Sequence, residues 1–199
     1  MANNEKWSFY VRDRDGRKSN TLSILLQKDS NSVYGNISHL PEINFGAQNN
    51  NDYGSFFSLS NGQIYHQDDA FNLQSAINLV YYYDLIEEDE NTIASPGANI
   101  DASFFPGQTG ITNWTIRNTT RFELRENLID SDFDQCQNDS LILHNTFEFA
   151  SGKRKSKNLE DGNIYAFVTE SGIKGLFIVH EVEGEEEGRI KISIKMQEI

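Results

Sequence analysis

The 199-residue sequence predicts an α+β fold, mainly antiparallel β-sheet or sandwich, with one or two helices and an N-terminal β-hairpin arm. Three observations carry that reading. Aromatic residues form 12 % of the chain, with 13 Phe and 8 Tyr against 3 Pro, which favours strands over disorder. Apolar residues alternate with polar ones in segments at both ends of the chain. Asp-Gly, Asn-Gly and Ser-Gly pairs separate those segments, as hairpin turns require.

In the first segment Trp7, Phe9 and Val11 alternate with Ser8, Tyr10 and Arg12, and in the second Leu22, Ile24 and Leu26 alternate with Thr21, Ser23 and Leu25. Together they read as a hairpin around Asp15-Gly16, and two strands alone hold no core. The polar stretch from Lys28 to Pro41 reads as a linker, which places a boundary near residue 41 and the main β-rich domain over 42–199. Asp68 and Asp69 open a short helix through Ala76, where acidic side chains complement the helix dipole.

Ile77 to Tyr83 is apolar on both faces, with Leu79, Tyr81 and Tyr83 on one and Val80 and Tyr82 on the other, so it reads as a central strand covered on both sides. Asn78 within it needs hydrogen-bond partners. Thr120 and Glu123 match a capping box, predicting a helix that turns Phe122, Leu124, Leu128, Ile129 and Phe133 inward. Three C-terminal strands follow, joined at Gly172 and at the acidic turn before Arg189. The last alternates Ile190, Ile192, Ile194 and Met196 with Arg189, Lys191, Ser193 and Lys195, reading as an outer strand whose lysines guard a solvated edge.

Thirty acidic against seventeen basic residues give a formal charge of −13, which repels phosphate backbones and anionic lipid and argues against nucleic-acid binding. The cationic run Lys153 to Lys157 reads as a solvated loop. Cys136 lies in an acidic neighbourhood that disfavours a thiolate, and the four histidines are far apart in sequence. No apolar run is long enough to span a bilayer, so direct membrane insertion is not expected, and the first residues lack the basic and apolar regions of a signal peptide.

No phosphate loop, metalloprotease helix or nucleophile elbow occurs, so no catalytic residue is nominated. A carboxylate pair for glycoside hydrolysis could come from many places, Asp68, Asp84 and Asp101 among them. No cofactor is required by any motif. Calcium is the one ion with oxygen-rich segments to hold it, in Asn49, Asn51 and Asp52 and in Glu87 and Asp89, although tight turns and a solvated acidic loop explain both. For sugar stacking the weak candidates are Trp114 with Asn113 and Arg117, and Tyr53 with Asn51 and Asp52. Burial of Trp114 in the core is the competing expectation.

Taken in order, "INFGAQNNNDYGSFFSLSNGQIY", "DDAFNLQSAINLVYYY", "TIASPG", "NWTIRNTTRF" and "GNIYAFVTESGIKGLFIVHEV" with "GRIKISIKM" resemble the C-terminal domain of uncharacterised, secreted surface lipoproteins of Gram-negative bacteria, often found behind an immunoglobulin-like domain. The resemblance covers roughly residues 42 to 125 and 163 to 197, and carries no catalytic signature. It implies export and lipid anchoring, against which cytoplasmic residence is the alternative, and it makes the hairpin arm similar to the last two strands of a preceding immunoglobulin-like domain. Where that family carries an aspartate before the aromatic strand, this chain has Asn78.

These features favour a non-catalytic extracellular binding or adhesion domain, with a glycan or a surface protein as partner. A polysaccharide-acting hydrolase and a structural spacer or assembly domain are the alternatives, and the sequence leaves the oligomeric state open.

Overall fold

A computed structural model describes residues 4–27 and 34–198. The chain divides into two compact units, Met1–Tyr34 and Gly35–Ile199. The first is a hairpin of β1 (Asn4–Phe9) and β2 (Leu22–Gln27), antiparallel, with Trp7 opposite Ile24 and Phe9 opposite Leu22. Asp13 Oδ1 accepts the backbone N–H groups of Asp15 and Arg17 and shapes the connection, in which Gly16 takes φ +79°. Trp7, Phe9, Leu22 and Ile24 are all exposed.

The second unit is a sandwich of two five-stranded antiparallel sheets. One has the order β3 (Ile37–Gly46), β12 (Arg189–Gln197), β11 (Lys174–Glu183), β10 (Ile164–Thr169), β8 (Thr120–Leu124). The other has the order β5 (Gln63–Tyr65), β4 (Phe56–Ser58), β6 (Leu79–Asp84), β7 (Glu90–Ala94), β9 (Lys155–Ser156). The inner core joins Phe45, Phe57, Tyr81, Phe122, Phe177 and Ile192 from both sheets. The boundary lies upstream of residue 41, because Ile37 to Leu40 pair with β12; residues 28–33 of the expected linker fall outside the described residues.

Each sheet also carries an outer layer. On the β10–β11 side, α2 (Asp130–Gln135) and α3 (Ser140–Asn145) place Phe133 and Ile142 over Ala166, Leu176 and Ile178. On the β6 side, α1 (Gln67–Asn72), a 3₁₀ turn at Gln74–Ala76 and the long segment after β7 cover Phe56, Val80 and Tyr82 with Ala70, Ile100, Phe104, Phe105 and Trp114. β6 is therefore central and buried at every position, as its two apolar faces require. Asn78 accepts Leu59 N–H at its side chain. No described helix is long and apolar enough to cross a membrane.

Three expectations are corrected. Residues 120–124 form strand β8, not a helix: Thr120 and Phe122 are buried and Arg121 and Glu123 face outward, a period of two that outweighs the capping-box match. The carboxylate of Glu123 is engaged by Arg125 and Ser151, while the helix begins later, where Asp132 accepts Ile129 N–H. Leu124 and Ile129 are accordingly exposed. Second, β12 lies between β3 and β11, so it has no free edge. Lys195, only 4 % exposed, donates to the carbonyls of Phe133, Asp134 and Cys136 at 2.7, 3.1 and 3.0 Å. An ammonium suits this position because the C-terminal carbonyls of α2 lack helical partners and carry the negative end of its dipole. Third, the cationic run is not a free loop: Lys155–Ser156 is β9, and Lys153 exchanges both backbone hydrogen bonds with Phe122, tying the two sheets together.

Replacing Lys195 with Met should cost roughly 3 kcal/mol in denaturant-midpoint measurements, since three carbonyls lose a charged donor. Lys191→Met, at a half-buried, solvent-screened ion pair with Glu181, should cost under about 1 kcal/mol. Equal effects would refute the carbonyl cage.

Candidate functional site

Where β6 ends, Asp84 turns the chain. Its Oδ1 accepts Ile86 N–H at 3.0 Å and Glu87 N–H at 2.9 Å, which fixes the connection to β7 and holds the carboxylate almost completely buried. Glu88 and Glu90 take positive φ of 55° and 42° in that connection, a strained backbone that the surrounding bonds hold in place. The same geometry brings Asp89, 6 % exposed, back beside Asp84.

β9 then pairs with β7, Lys155 opposite Ala94, and directs Lys155 into this cluster. Its Nζ lies 3.0 Å from Glu87 Oε2 and 3.8 Å from both Asp84 Oδ2 and Asp89 Oδ2. Lys157 completes the network at 2.6 Å from Asp89. Ligand atoms of Asp84, Glu87 and Asp89 all fall within 4.8 Å of one another, so the three could hold a metal ion. The Lys155 ammonium already lies close to all of them, and a divalent cation there would have to displace it.

A cavity of about 230 Å³ opens beside the network, lined by Asp84, Glu87 and Lys155 on one side and by Asn99, Asp101 and Phe104 on the other. Asp101 accepts Ser103 N–H at 2.9 Å and Ser103 Oγ–H at 2.7 Å, and these two bonds hold its carboxyl below the usual carboxylate range. Phe104 stacks on Tyr82, ring centroids 4.9 Å apart. Tyr82 is fully buried, and its hydroxyl has no hydrogen-bond partner among the described residues. Burial first, and then Asp84, Asp89 and Glu87, push its pKa far up, so the phenol stays protonated and retains its O–H donor.

The sequence candidates are dispersed. Trp114 is 5 % exposed, packs against Phe56 at 5.3 Å and donates Nε1–H to Thr109 O, so its ring is core rather than a stacking platform. Asn113 is exposed and donates to Gly107 O, and Arg117 is exposed. Asn49, Asn51, Asp52 and Tyr53 lie in the loop after β3, where Asn50 is the organising residue. Asn50 Oδ1 accepts Asp52 and Tyr53 N–H, while its Nδ2 donates to Glu187 O and Gly188 O of the β11–β12 turn. Glu87 and Asp89, by contrast, both belong to the network. Sequence reading missed Asn99, Lys155, Tyr82 and Phe104 as site residues and left Asp84 and Asp101 undistinguished. One signal was available: Lys153, Lys155 and Lys157 alternate as a strand does, and only a strand could set one of them against the acidic turn.

Lys155→Met should destabilise the chain by about 3–5 kcal/mol, because buried Asp84 and Asp89 lose their cation. Calcium should raise the melting temperature of that variant and leave the wild type unmoved; an equal rise in both would show that the ammonium does not occupy the cation position. Asn50→Ala should cost roughly 2 kcal/mol, read from thermal unfolding, since it removes two hydrogen bonds within its own loop and two that join that loop to the β11–β12 turn. No loss would mean the loop is not held this way.

No protein-family model matches the chain, and no curated protein matches it. A solved structure does: a DUF4466 family protein from Parabacteroides merdae, with a TM-score of 0.58 at 14 % identity, the match covering 98 % of this chain and 62 % of that one. At that identity the likeness is one of fold, and this chain spans less than two thirds of its neighbour's length.

Proposed function

We propose that this chain is a non-catalytic, extracellular binding domain that receives a sugar residue of a glycan in the cavity beside Lys155. The carrying observation is a small concave site with held carboxylate and ammonium groups and the Asn99 amide at its walls, and the buried Phe104 and Tyr82 rings behind one of them. Sugars are recognised by such polar groups converging on a shaped surface with apolar patches for ring faces. About 230 Å³ is below the size of drug-like pockets and suits a single ring rather than a long groove.

Binding fits better than hydrolysis. A glycosidase needs one carboxylic acid that keeps its proton, and the shift at Asp101 runs the other way. Asp84 spends one oxygen on two backbone amides and turns the other towards Lys155. The extracellular setting is supported by the resemblance to secreted surface lipoproteins, with which a surface anchor would place the cavity outside the cell.

A melting screen against oligosaccharides tests this reading. A ligand at ~100 times its dissociation constant adds about 2.7 kcal/mol, or roughly 5 to 10 °C for a domain of this size. Asn99→Ala, at an exposed position, should abolish the shift without changing the melting temperature of the free chain. A shift that survives this variant would put the ligand elsewhere.

A further inference from the structure

The β1–β2 hairpin carries an exposed apolar face. Trp7 and Phe9 on β1 and Leu22 and Ile24 on β2 share one side, each between 46 and 64 % exposed, with the Trp7 and Phe9 rings 6.2 Å apart. The opposite side carries Lys6, Ser8, Ser23 and Leu25, with the Ser8 and Ser23 hydroxyls hydrogen-bonded at 3.2 Å. Antiparallel sheets pack an apolar side of this kind and leave the other to water, and a two-stranded sheet with neither side packed is marginal. The hairpin also differs in charge from the rest of the chain. Residues 4–27 hold five basic and three acidic side chains, a net of +2, and the remaining residues hold twelve basic and twenty-seven acidic, a net of −15. Four of the five cations, Arg12, Arg14, Arg17 and Lys18, stand at the tip.

We propose that this face docks on the β6–β7 turn of a second copy of the chain. An apolar face with a cationic tip is complemented by exposed apolar side chains beside carboxylates, and that turn has both. Leu85 and Ile86 are 55 % and 59 % exposed and run directly into Glu87 and Glu88, with Glu90 exposed beyond them. Exposed Ile116 and Leu124 of the second unit are each followed by an arginine instead, which the hairpin tip repels. Asp84 fixes the turn through its bonds to Ile86 and Glu87 N–H, so the two aliphatic side chains are presented at little ordering cost. The contact joins two unlike surfaces, so either can be altered without the other. Four side chains against two bury far less than the ~1,200 Å² of a standard interface, which makes the association weak, and its charged rim makes it salt-sensitive. It does not depend on the sugar reading.

Sedimentation equilibrium of the intact chain, without sugar, from about 1 μM to about 1 mM covers the range of weak pairs. The average mass should rise with concentration at low salt and fall back when salt is added. Ile86→Ser, at an exposed position, should abolish the rise. Arg14→Glu and Glu88→Arg, also at exposed positions, should each weaken self-association several-fold. A mixture of those two variants should associate more tightly than either alone, because the reversed tip of one meets the reversed turn of the other. A monomer throughout the range would overturn the proposal, as would association that neither charge reversal changes or that the mixture fails to restore.

Discussion

The structure depends on covering both faces of one strand. β6 carries three aromatic residues in a row, and period-two geometry sends Tyr81 and Tyr83 into the space between the sheets and Tyr82 to the opposite side. The inner face is satisfied by the second sheet. The outer face needs another apolar layer, and the segment from Ala98 to Trp114 supplies it with little regular structure of its own. That layer makes the site: where it ends against the β6–β7 turn, Asn99 to Phe104 and Asp84 to Glu87 face each other across a cavity. The polar site is thus a consequence of how an apolar strand is buried.

Two lysines show how an acidic chain uses its few cations. Lys195 is surrounded by neutral carbonyls and binds a helix end to the sheet beneath it. Lys155 is surrounded by carboxylates and binds an edge strand to a strained turn. Burying either ammonium costs several kcal/mol unless its surroundings compensate. Both are positioned by backbone pairing, which keeps them from simply turning out to water. In the site this gives rigidity: Lys155 is held from three directions by Asp84, Glu87 and Asp89.

The core strands were legible in the sequence because burial imposes a period. β12 and the hairpin follow from alternation, β6 follows from an apolar run that needs cover on both faces, and Asp68 and Asp69 lie in the first turn of α1 as expected. The failures have specific physical causes. A four-residue motif at Thr120 to Glu123 competed with alternation of the same residues, and alternation reflects the larger energy of burying Phe122. The alternation in β12 was read correctly, but the covering of its polar face by α2 depends on residues some sixty positions away. The same long range hid the site. Lys155 and Glu87 are separated by 68 positions, and neither stretch reveals the other until β9 pairs with β7. Trp114 drew attention as an aromatic among amides, yet its indole N–H is satisfied locally by Thr109, which frees the ring for the core.

The most direct measurement is residue-resolved NMR of the isotopically labelled chain during titration with the oligosaccharides of the melting screen. If the cavity binds the sugar, amide shifts will concentrate at Ile86 and Glu87 and from Asn99 to Ser103, and the loop holding Asn51 to Tyr53 will stay still. Saturable shifts centred on that loop, on the β1–β2 hairpin, or nowhere at all would contradict the assignment of the site.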